Sequence, residues 1–164
     1  MKYSIPLSNT TCNQLNITFY FTTSIASNTF LMREVDKGKK NLSIQAIEKL
    51  FKNDALLEAI YSEVEAHLGK EKFTIPYLAS LLYTTRSTLY REVKKKTGRS
   101  VITLIKIIRL LKADTLLKTS DYSISDIAYQ VGFKAPSHFT TSYKKEFGRS
   151  PKEARNQFNN KSKS

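Results

Sequence analysis

Two separate stretches of this 164-residue sequence carry polar and basic side chains at helical spacing. Hydroxyl, imidazole and guanidinium groups on one face of a helix can form hydrogen bonds with base edges, and nearby cations can contact phosphates. The first stretch presents Arg86, Ser87, Thr88, Tyr90, Arg91 and Lys94, and the second presents Ser137, His138, Thr140, Thr141 and Lys144. These residue types favour contact with a nucleic acid, although a plain solvated helix face can have the same composition.

Arg91 is the strongest candidate for reading a base, because a guanidinium can donate two hydrogen bonds to O6 and N7 of guanine. A phosphate contact or a solvated position is the alternative for Arg91, and Tyr90 can instead pack on the helix surface. His138 is expected to contact a groove or the backbone rather than a metal. Cationic or donor groups flank both stretches, and the predicted phosphate contacts are Thr85, Lys94, Lys95, Lys144, Lys145 and Arg149.

The two stretches belong to an internal repeat. Residues 74–100, here the first unit, match residues 123–150, the second unit, at an offset of 49 that becomes 50 in the second half. The matched pairs include Ile75 and Ile124, Ala79 and Ala128, Leu89 and Phe139, and the shared Gly-Arg-Ser ends. A pattern repeated at such a period indicates one supersecondary unit used twice. Each unit predicts two short helices around a tight turn, with the basic helix second, as in a helix-turn-helix.

A long apolar helix is predicted between the two units. Ser100 can cap it, and apolar side chains cover most of its circumference over residues 101–119, which indicates burial from more than one side. We expect a central rod about 28 Å long on which both units pack. With both units packed on this rod, the basic second helix of each unit could enter one of two successive major grooves, which recur about every 34 Å. The predicted fold class is all-α, with two helix-turn-helix subdomains joined by this long helix.

Three regions are predicted along the chain. Residues 1–52 form an N-terminal extension and linker, 53–157 the double helix-turn-helix domain, and 158–164 a disordered tail. Within the extension, β-branched and aromatic residues at 16–23 allow a weak strand or hairpin, and a mobile extension is the alternative. Periodic apolar residues predict a helix from Ser43 and another from Asn53 or Asp54 to Leu68. A last short helix is predicted from Ser150 to about Gln157.

Charge is distributed unevenly. The formal net charge is +13, yet residues 53–72 hold 2 basic and 5 acidic residues, whereas residues 85–164 hold 18 basic and 6 acidic ones. An excess of this kind in the C-terminal part favours a polyanionic partner, and a merely soluble basic protein is the alternative.

Other classes of function find little support. One cysteine, Cys12, excludes an internal disulfide, and His67 and His138 lack partners at metal-ligand spacing, so no metal or cofactor is expected. No Ser/His/Asp arrangement, phosphate-cradling glycine loop or carboxylate cluster suggests an enzyme. No leader peptide or membrane span is predicted, and we expect a soluble, cytoplasmic protein.

Three segments of the second unit resemble the signature of AraC-family transcription regulators. They are Ser-Ile-Ser-Asp-Ile-Ala-Tyr-Gln-Val-Gly-Phe (123–133), Pro-Ser-His-Phe (136–139) and Tyr-Lys-Lys-Glu-Phe-Gly-Arg-Ser-Pro (143–151). The resemblance covers about residues 54–157 and implies a module of seven helices that binds double-stranded DNA. By motif position it implies base-reading roles for Ser87, Tyr90 and Arg91 in the first unit and Ser137, His138 and Thr141 in the second. Leu78-Ala79 and residues 86–91 resemble the first unit of hybrid two-component regulators in this family.

Three departures from the family pattern have consequences. Tyr83 stands where the family usually has the turn glycine, followed by Thr84 where an apolar residue is usual, so the first unit is expected to be less well formed. Thr141 stands where arginine is common, which weakens base reading by the second unit. We therefore expect the first unit to supply most base discrimination and the second to anchor the protein. Finally, about 50 upstream residues are too few for the sugar-binding or receiver domain of many relatives.

The predicted function is sequence-specific DNA binding that regulates transcription in a bacterium. Activation through contact with RNA polymerase is what the resemblance implies, with repression left open. The alternative is a protein-interaction module that keeps the fold but binds DNA weakly, motivated by Tyr83 and Thr141. The sequence leaves the oligomeric state open, as well as the choice between a stand-alone regulator and an effector fragment of a larger sensor.

Overall fold

The computed structural model describes residues 43–70 and 72–161, which form eight α-helices. They are α1 (Ile44–Asn53), α2 (Ala55–Ala66), α3 (Ile75–Leu81), α4 (Arg86–Thr97), α5 (Val101–Thr119), α6 (Ile124–Gln130), α7 (Pro136–Phe147) and α8 (Pro151–Lys161). No strand occurs within these two ranges, so the all-α class is confirmed there. The strand or hairpin predicted at residues 16–23 lies outside the described residues.

The first core is formed by α1 to α4 and the N-terminal half of α5. The apolar stripe predicted for α1 is buried in it and consists of Ile44, Ile47, Leu50 and Phe51. Asp54 begins α2 as its N-cap, with Oδ1 accepting a hydrogen bond from the Leu57 N–H at 3.1 Å. Its carboxylate also pairs with Lys96 of α4. The predicted domain boundary at residue 53 therefore falls between two helices that share one core.

The second core is formed by the C-terminal half of α5 with α6, α7 and α8. Phe139 and Tyr143 of α7 are its largest fully buried side chains, and their ring centroids lie 5.7 Å apart. The Tyr143 ring also stacks on Phe147 at 4.4 Å. Phe147 packs partly against the first core as well, so the two cores meet near the C-terminal end of α7.

The long helix α5 belongs to both cores. Val101, Leu104, Ile107 and Ile108 are buried in the first core, whereas Leu110, Ala113 and Leu117 are buried in the second. Burial along the whole length of the helix confirms that it is a central rod. Ile102 is an exception, since 63 % of its surface is exposed.

The turns of the two units have the same geometry, contrary to the expectation for the first. Tyr83 has a φ of 49° and Gly132 a φ of 89°, so both lie in the left-handed region. The Tyr83 and Thr84 N–H groups donate to Ser80 and Ala79, at 3.1 and 3.0 Å. In the second unit the N–H groups of residues 132 and 133 donate to residues 129 and 128, each at 2.9 Å. Tyr83 is 53 % exposed, so its ring fits outside the core and the turn forms without glycine.

The last helix is longer than predicted. It begins with a capping box, in which Ser150 Oγ accepts from the Glu153 N–H at 3.2 Å and the Glu153 carboxylate accepts from the Ser150 N–H at 2.6 Å. These bonds lower the pKa of the Glu153 carboxyl below its usual value. The helix runs on to Lys161, so the disordered tail predicted from residue 158 is wrong for 158–161. Once a helix is nucleated, each further residue adds a backbone hydrogen bond, which polar residues can supply.

Candidate nucleic-acid interface

The helix α4 begins and ends at residues that fix its position. The Thr85 hydroxyl caps it by accepting from the Thr88 N–H at 3.1 Å. Gly98 ends it in the left-handed conformation, at a φ of 70°. Leu89, Val93 and Thr97 form the buried face, so the opposite face of α4 is held toward solvent.

Of the predicted base-reading residues of α4, Arg86, Ser87 and Arg91 are exposed, whereas Tyr90 is half-buried and packs partly against the first core. Arg91 is exposed over 71 % of its side chain, and its Nε lies 3.3 Å from a carboxylate oxygen of Glu92. The Arg86 guanidinium stacks over the Tyr90 ring at 5.5 Å from its centroid, a cation–π contact that orients both side chains. Ser87 is exposed beside them. The four residues therefore offer donors, an aromatic ring and a flexible cation on one surface.

The residues of the first unit that were predicted to contact phosphates differ in whether they already form hydrogen bonds within the protein. Lys95 is exposed, whereas the exposed Lys94 donates from Nζ to the Gly98 carbonyl oxygen and reinforces the end of α4. Thr85 uses its hydroxyl for capping and also donates to Thr88 Oγ1 at 2.9 Å. A hydrogen bond from the Thr85 hydroxyl to a phosphate would have to replace the bond to Thr88.

The helix α7 presents the corresponding face of the second unit. Ser137, His138 and Thr141 are exposed, whereas Thr140 is half-buried. The Thr141 hydroxyl donates to the Ser137 carbonyl oxygen at 3.0 Å, and the His138 ring lies 5.8 Å from the Phe133 ring. Pro136 occupies the first turn, and no side chain caps the helix. The N-terminal N–H groups of α7 therefore lack the side-chain acceptor that Thr85 provides in α4.

Three cations were predicted to contact phosphates near the C-terminal end of α7. Lys144 and Lys145 are exposed. Arg149 is half-buried; it donates from Nη1 to Gln157 of α8, and its Nη2 lies 3.7 Å from Asp114 of α5. Arg149 thus joins helices in addition to any contact with DNA.

The carboxylate of Asp114 is the centre of a polar cluster beneath α7. It accepts a hydrogen bond from the Tyr143 hydroxyl and pairs with Lys118. Burial, together with the bond to Asp114, raises the pKa of the Tyr143 hydroxyl well above its usual value. Because Tyr143 is on the inner face of α7, this cluster sets how the outer face is presented.

The sequence did not predict two polar contacts that hold the second unit to the rest of the domain. Arg99, just after α4, donates from Nη1 to both carboxylate oxygens of Glu146 in α7, at 3.3 and 3.2 Å. Arg109 of α5 donates to the Gly132 carbonyl oxygen at 2.9 Å, and burial lowers its pKa. Arg99 stands in the repeated Gly-Arg-Ser motif, but nothing in the motif indicates its partner.

Other types of site lack a basis in residues 43–70 and 72–161. No group of three or more His, Cys, Asp or Glu side chains there could hold a metal ion. Within the same ranges no helix has both the length and the apolar character needed to cross a membrane.

Comparisons with known proteins agree with this geometry. A family model described as a helix-turn-helix domain matches residues 78–157. Over 109 residues the chain is 36 % identical to the HTH-type transcriptional activator RhaS of Enterobacter sp. (strain 638), a match that covers 66 % of this chain and 39 % of RhaS. It is 33 % identical over 106 residues to histidine kinase P4 of Formosa agariphila, covering 65 % of this chain and 8 % of the kinase.

A solved structure provides the link to DNA. The DNA-binding domain of AdpA, a global transcriptional factor solved in complex with a target DNA, has 31 % sequence identity and a TM-score of 0.56. The similarity covers 65 % of this chain and 94 % of that domain.

Two helix-turn-helix units on one shared helix define a double helix-turn-helix DNA-binding domain. A transcriptional regulator of Chromobacterium violaceum, described as an AraC-type DNA-binding domain-containing protein, has 28 % sequence identity and a TM-score of 0.58 over 62 % of this chain and 89 % of that one. This similarity, together with the matches to AdpA and RhaS, identifies the family. The chain belongs to the AraC family of transcription regulators. It spans less than half the length of RhaS, because the match is confined to this domain.

Proposed function

We propose that this chain is a cytoplasmic, sequence-specific regulator of bacterial transcription that binds double-stranded DNA. The observation that carries the proposal is the pair of exposed, polar and basic faces on α4 and α7, held by opposite halves of one helix. Each of these two recognition helices enters a major groove, and the two grooves follow one another along the same side of the duplex. The similarity to the DNA-bound AdpA domain supports this mode.

The roles of the two recognition helices differ in this proposal. In α4, Arg91 reads a guanine, with Ser87, Tyr90 and Arg86 beside it, because its guanidinium is exposed and can donate two hydrogen bonds to one base. In α7, short side chains replace arginine, and Thr141 is tied to the helix backbone. The uncapped N–H groups of α7, with Lys144 and Lys145, suit phosphate contact, so the second unit anchors the protein.

Activation of transcription is the regulatory direction we propose, through contact with RNA polymerase. Its support is the similarity to RhaS, which is named as a transcriptional activator. A reporter gene with a selected binding site upstream of a weak promoter tests it in cells. Expression should rise when the chain is present, and a fall would indicate repression.

Selection of bound duplexes from a random pool, followed by sequencing, tests the DNA-binding function at physiological salt. We expect two conserved half-motifs at a fixed separation. Binding without enrichment of any sequence would refute the proposal, because phosphate contacts alone give affinity without specificity.

The alternative, a protein-interaction module with weak DNA binding, has lost one of its two reasons. The turn at Tyr83 has the same hydrogen-bond pattern as the turn at Gly132, so the first unit is complete. Only the replacement of arginine by Thr141 still favours it.

A further inference from the structure

The two units are joined directly by an ion pair as well as through α5. Arg99 lies between the Gly98 C-cap of α4 and the Ser100 N-cap of α5, and Glu146 lies in the last turn of α7. The guanidinium donates to both carboxylate oxygens, and the two side chains are only 17 % and 8 % exposed. The pair therefore connects the C-terminal ends of the two recognition helices and is shielded from solvent.

A second direct contact lies between the α2–α3 loop and the turn of the second unit. A Cβ placed on Gly132 would lie 3.2 Å from the Gly69 backbone nitrogen, so the two backbones nearly touch. Arg109 fixes the same turn by its hydrogen bond to the Gly132 carbonyl oxygen. The second unit is thus held to the rest of the domain at two places besides its apolar packing on α5.

The chemistry of the ion pair differs from that of the packing around α5. Apolar burial is non-directional and constrains mainly the distance between surfaces. A guanidinium–carboxylate bond depends on orientation, and shielding from water strengthens it. Of the contacts that join the two units, the Arg99–Glu146 pair is therefore suited to fix an angle.

We propose that Arg99 and Glu146 are positioning residues that set the orientation of α7 relative to α4, and with it the spacing of the two half-sites in the DNA. This inference rests on the proposed function, since it concerns how both helices bind one duplex. Changing the separation by one base pair turns one half-site relative to the other by about 34° around the duplex. If α4 and α7 are held rigidly, both can bind the altered site only when the DNA deforms, and this deformation costs free energy.

The residues at the matching positions of the repeat do not form an equivalent of the Arg99–Glu146 ion pair. The position of the first unit that matches Glu146 is Lys96, which pairs with Asp54, and the position that matches Arg99 is Arg149, which contacts Asp114 and Gln157. The equivalent positions thus connect each unit to a neighbouring helix outside the repeat and do not connect the two units. The Arg99–Glu146 pair is a contact between the units that the duplication alone does not supply.

The experiment is selection of bound duplexes from a random pool, with the full chain as wild type and as Glu146→Gln. Glu65→Gln is the matched control, because Glu65 forms an ion pair with Lys112 that joins α2 to α5 and does not join the units. The measured quantity is the enrichment of the preferred spacing over spacings one base pair longer or shorter. Coupling between residues of one salt-bridge network typically changes an equilibrium constant about 2- to 150-fold. We therefore expect Glu146→Gln to lower the enrichment of the preferred spacing at least about fivefold.

Both half-motifs should persist in Glu146→Gln, and the control should keep the wild-type ratio. The swapped variant Arg99→Glu with Glu146→Arg should recover part of the ratio, since it restores opposite charges. If Glu146→Gln does not melt cooperatively, Arg99→Lys is used, which keeps the charge but loses the fixed geometry of the guanidinium.

An unchanged spacing ratio in a folded Glu146→Gln or Arg99→Lys variant would overturn the inference. So would an equal loss of binding at every spacing, which would assign the pair to stability alone. A wild-type chain that enriches no motif would instead refute the proposed function, and the inference would fall with it.

Discussion

Replacement of Gly132 by alanine should destabilise the domain, whereas Tyr83→Gly, at the equivalent turn position, should change its stability little. Gly132 has a φ of 89°, and an added Cβ would lie 3.1 Å from Arg109 Cζ and 3.2 Å from the Gly69 nitrogen. Left-handed backbone costs a residue with a Cβ about 1–2 kcal/mol. The guanidinium must also give way by a few tenths of an ångström, which weakens its bond to the Gly132 carbonyl oxygen, and a bond of this charged type contributes about 1.5–3 kcal/mol when intact. The free energy of unfolding should therefore fall by more than the backbone strain alone, by about 2–5 kcal/mol.

For Tyr83→Gly two effects oppose each other. The change relieves left-handed strain of about 1–2 kcal/mol, but glycine gains conformational freedom in the unfolded chain, and this costs about 0.5–1 kcal/mol. Tyr83 is 53 % exposed, so only part of its ring loses packing. The net change should lie within about 1 kcal/mol of zero.

Urea unfolding followed by far-ultraviolet circular dichroism measures both variants, and Gly148→Ala is the control. Gly148 has a φ of 74°, but a Cβ there would meet nothing within 4 Å, so it should cost only the backbone strain. A Gly132→Ala protein as stable as Gly148→Ala would show that the close approach of Gly69, Gly132 and Arg109 has no energetic weight, and the reasoning would be refuted.

Three further predictions concern the core, the interface and pH. Ile108→Asp places an unpaired carboxylate at a position that is 1 % exposed, so it should abolish the cooperative thermal melt, and a melt near wild type would contradict the central role of α5. Arg91→Ala should cost about 1–3 kcal/mol of binding and relax specificity at one base pair, measured by anisotropy on single-substitution duplexes; a uniform loss would assign Arg91 to a phosphate. Because the pKa of the Tyr143 hydroxyl is raised in the folded state, the contribution of this group to folding stability is complete below pH 10 and is lost as the pH rises further. The wild type should therefore lose stability more steeply than Tyr143→Phe above pH 10, and parallel denaturation curves would contradict this.

The helices and their boundaries were largely predictable, because they depend on local chemistry. Thr74, Thr85, Ser100 and Ser123 act as N-caps, each through a hydroxyl that accepts from an N–H three residues on. The buried stripe of α1 followed from helical periodicity in the same way. Caps and buried stripes depend on residues that are close together in the sequence, so the sequence pattern predicts them.

The turn at Tyr83 was less predictable, although it too is local. Family comparison suggested that a residue other than glycine would distort it, yet φ is 49° and the hydrogen bonds are those of the second unit. What matters is whether space exists for the side chain, and this is set by the fold. The Tyr83 ring has that space, whereas at Gly132 the guanidinium of Arg109 occupies it.

For the interface, the sequence predicted which face of each helix is exposed but not the partners of each cation. Residues 42 and 47 positions apart form the pairs Lys96–Asp54 and Arg99–Glu146. No periodicity connects such positions, because their proximity arises only when the helices that carry them pack together. The engagement of Arg149 with Asp114 and Gln157 was missed for the same reason.

The sharing of α5 between the two cores has a consequence for dissecting this protein. A fragment of residues 43–119, which keeps the whole of α5, would expose Leu110, Ala113 and Leu117, and a fragment of residues 101–161 would expose Ile107, Ile108 and their neighbours. Each fragment would lose the burial that stabilises one side of α5. A shortened chain, or a chimaera made by exchanging one copy of the repeat, must therefore carry a whole α5 and a partner for both of its sides.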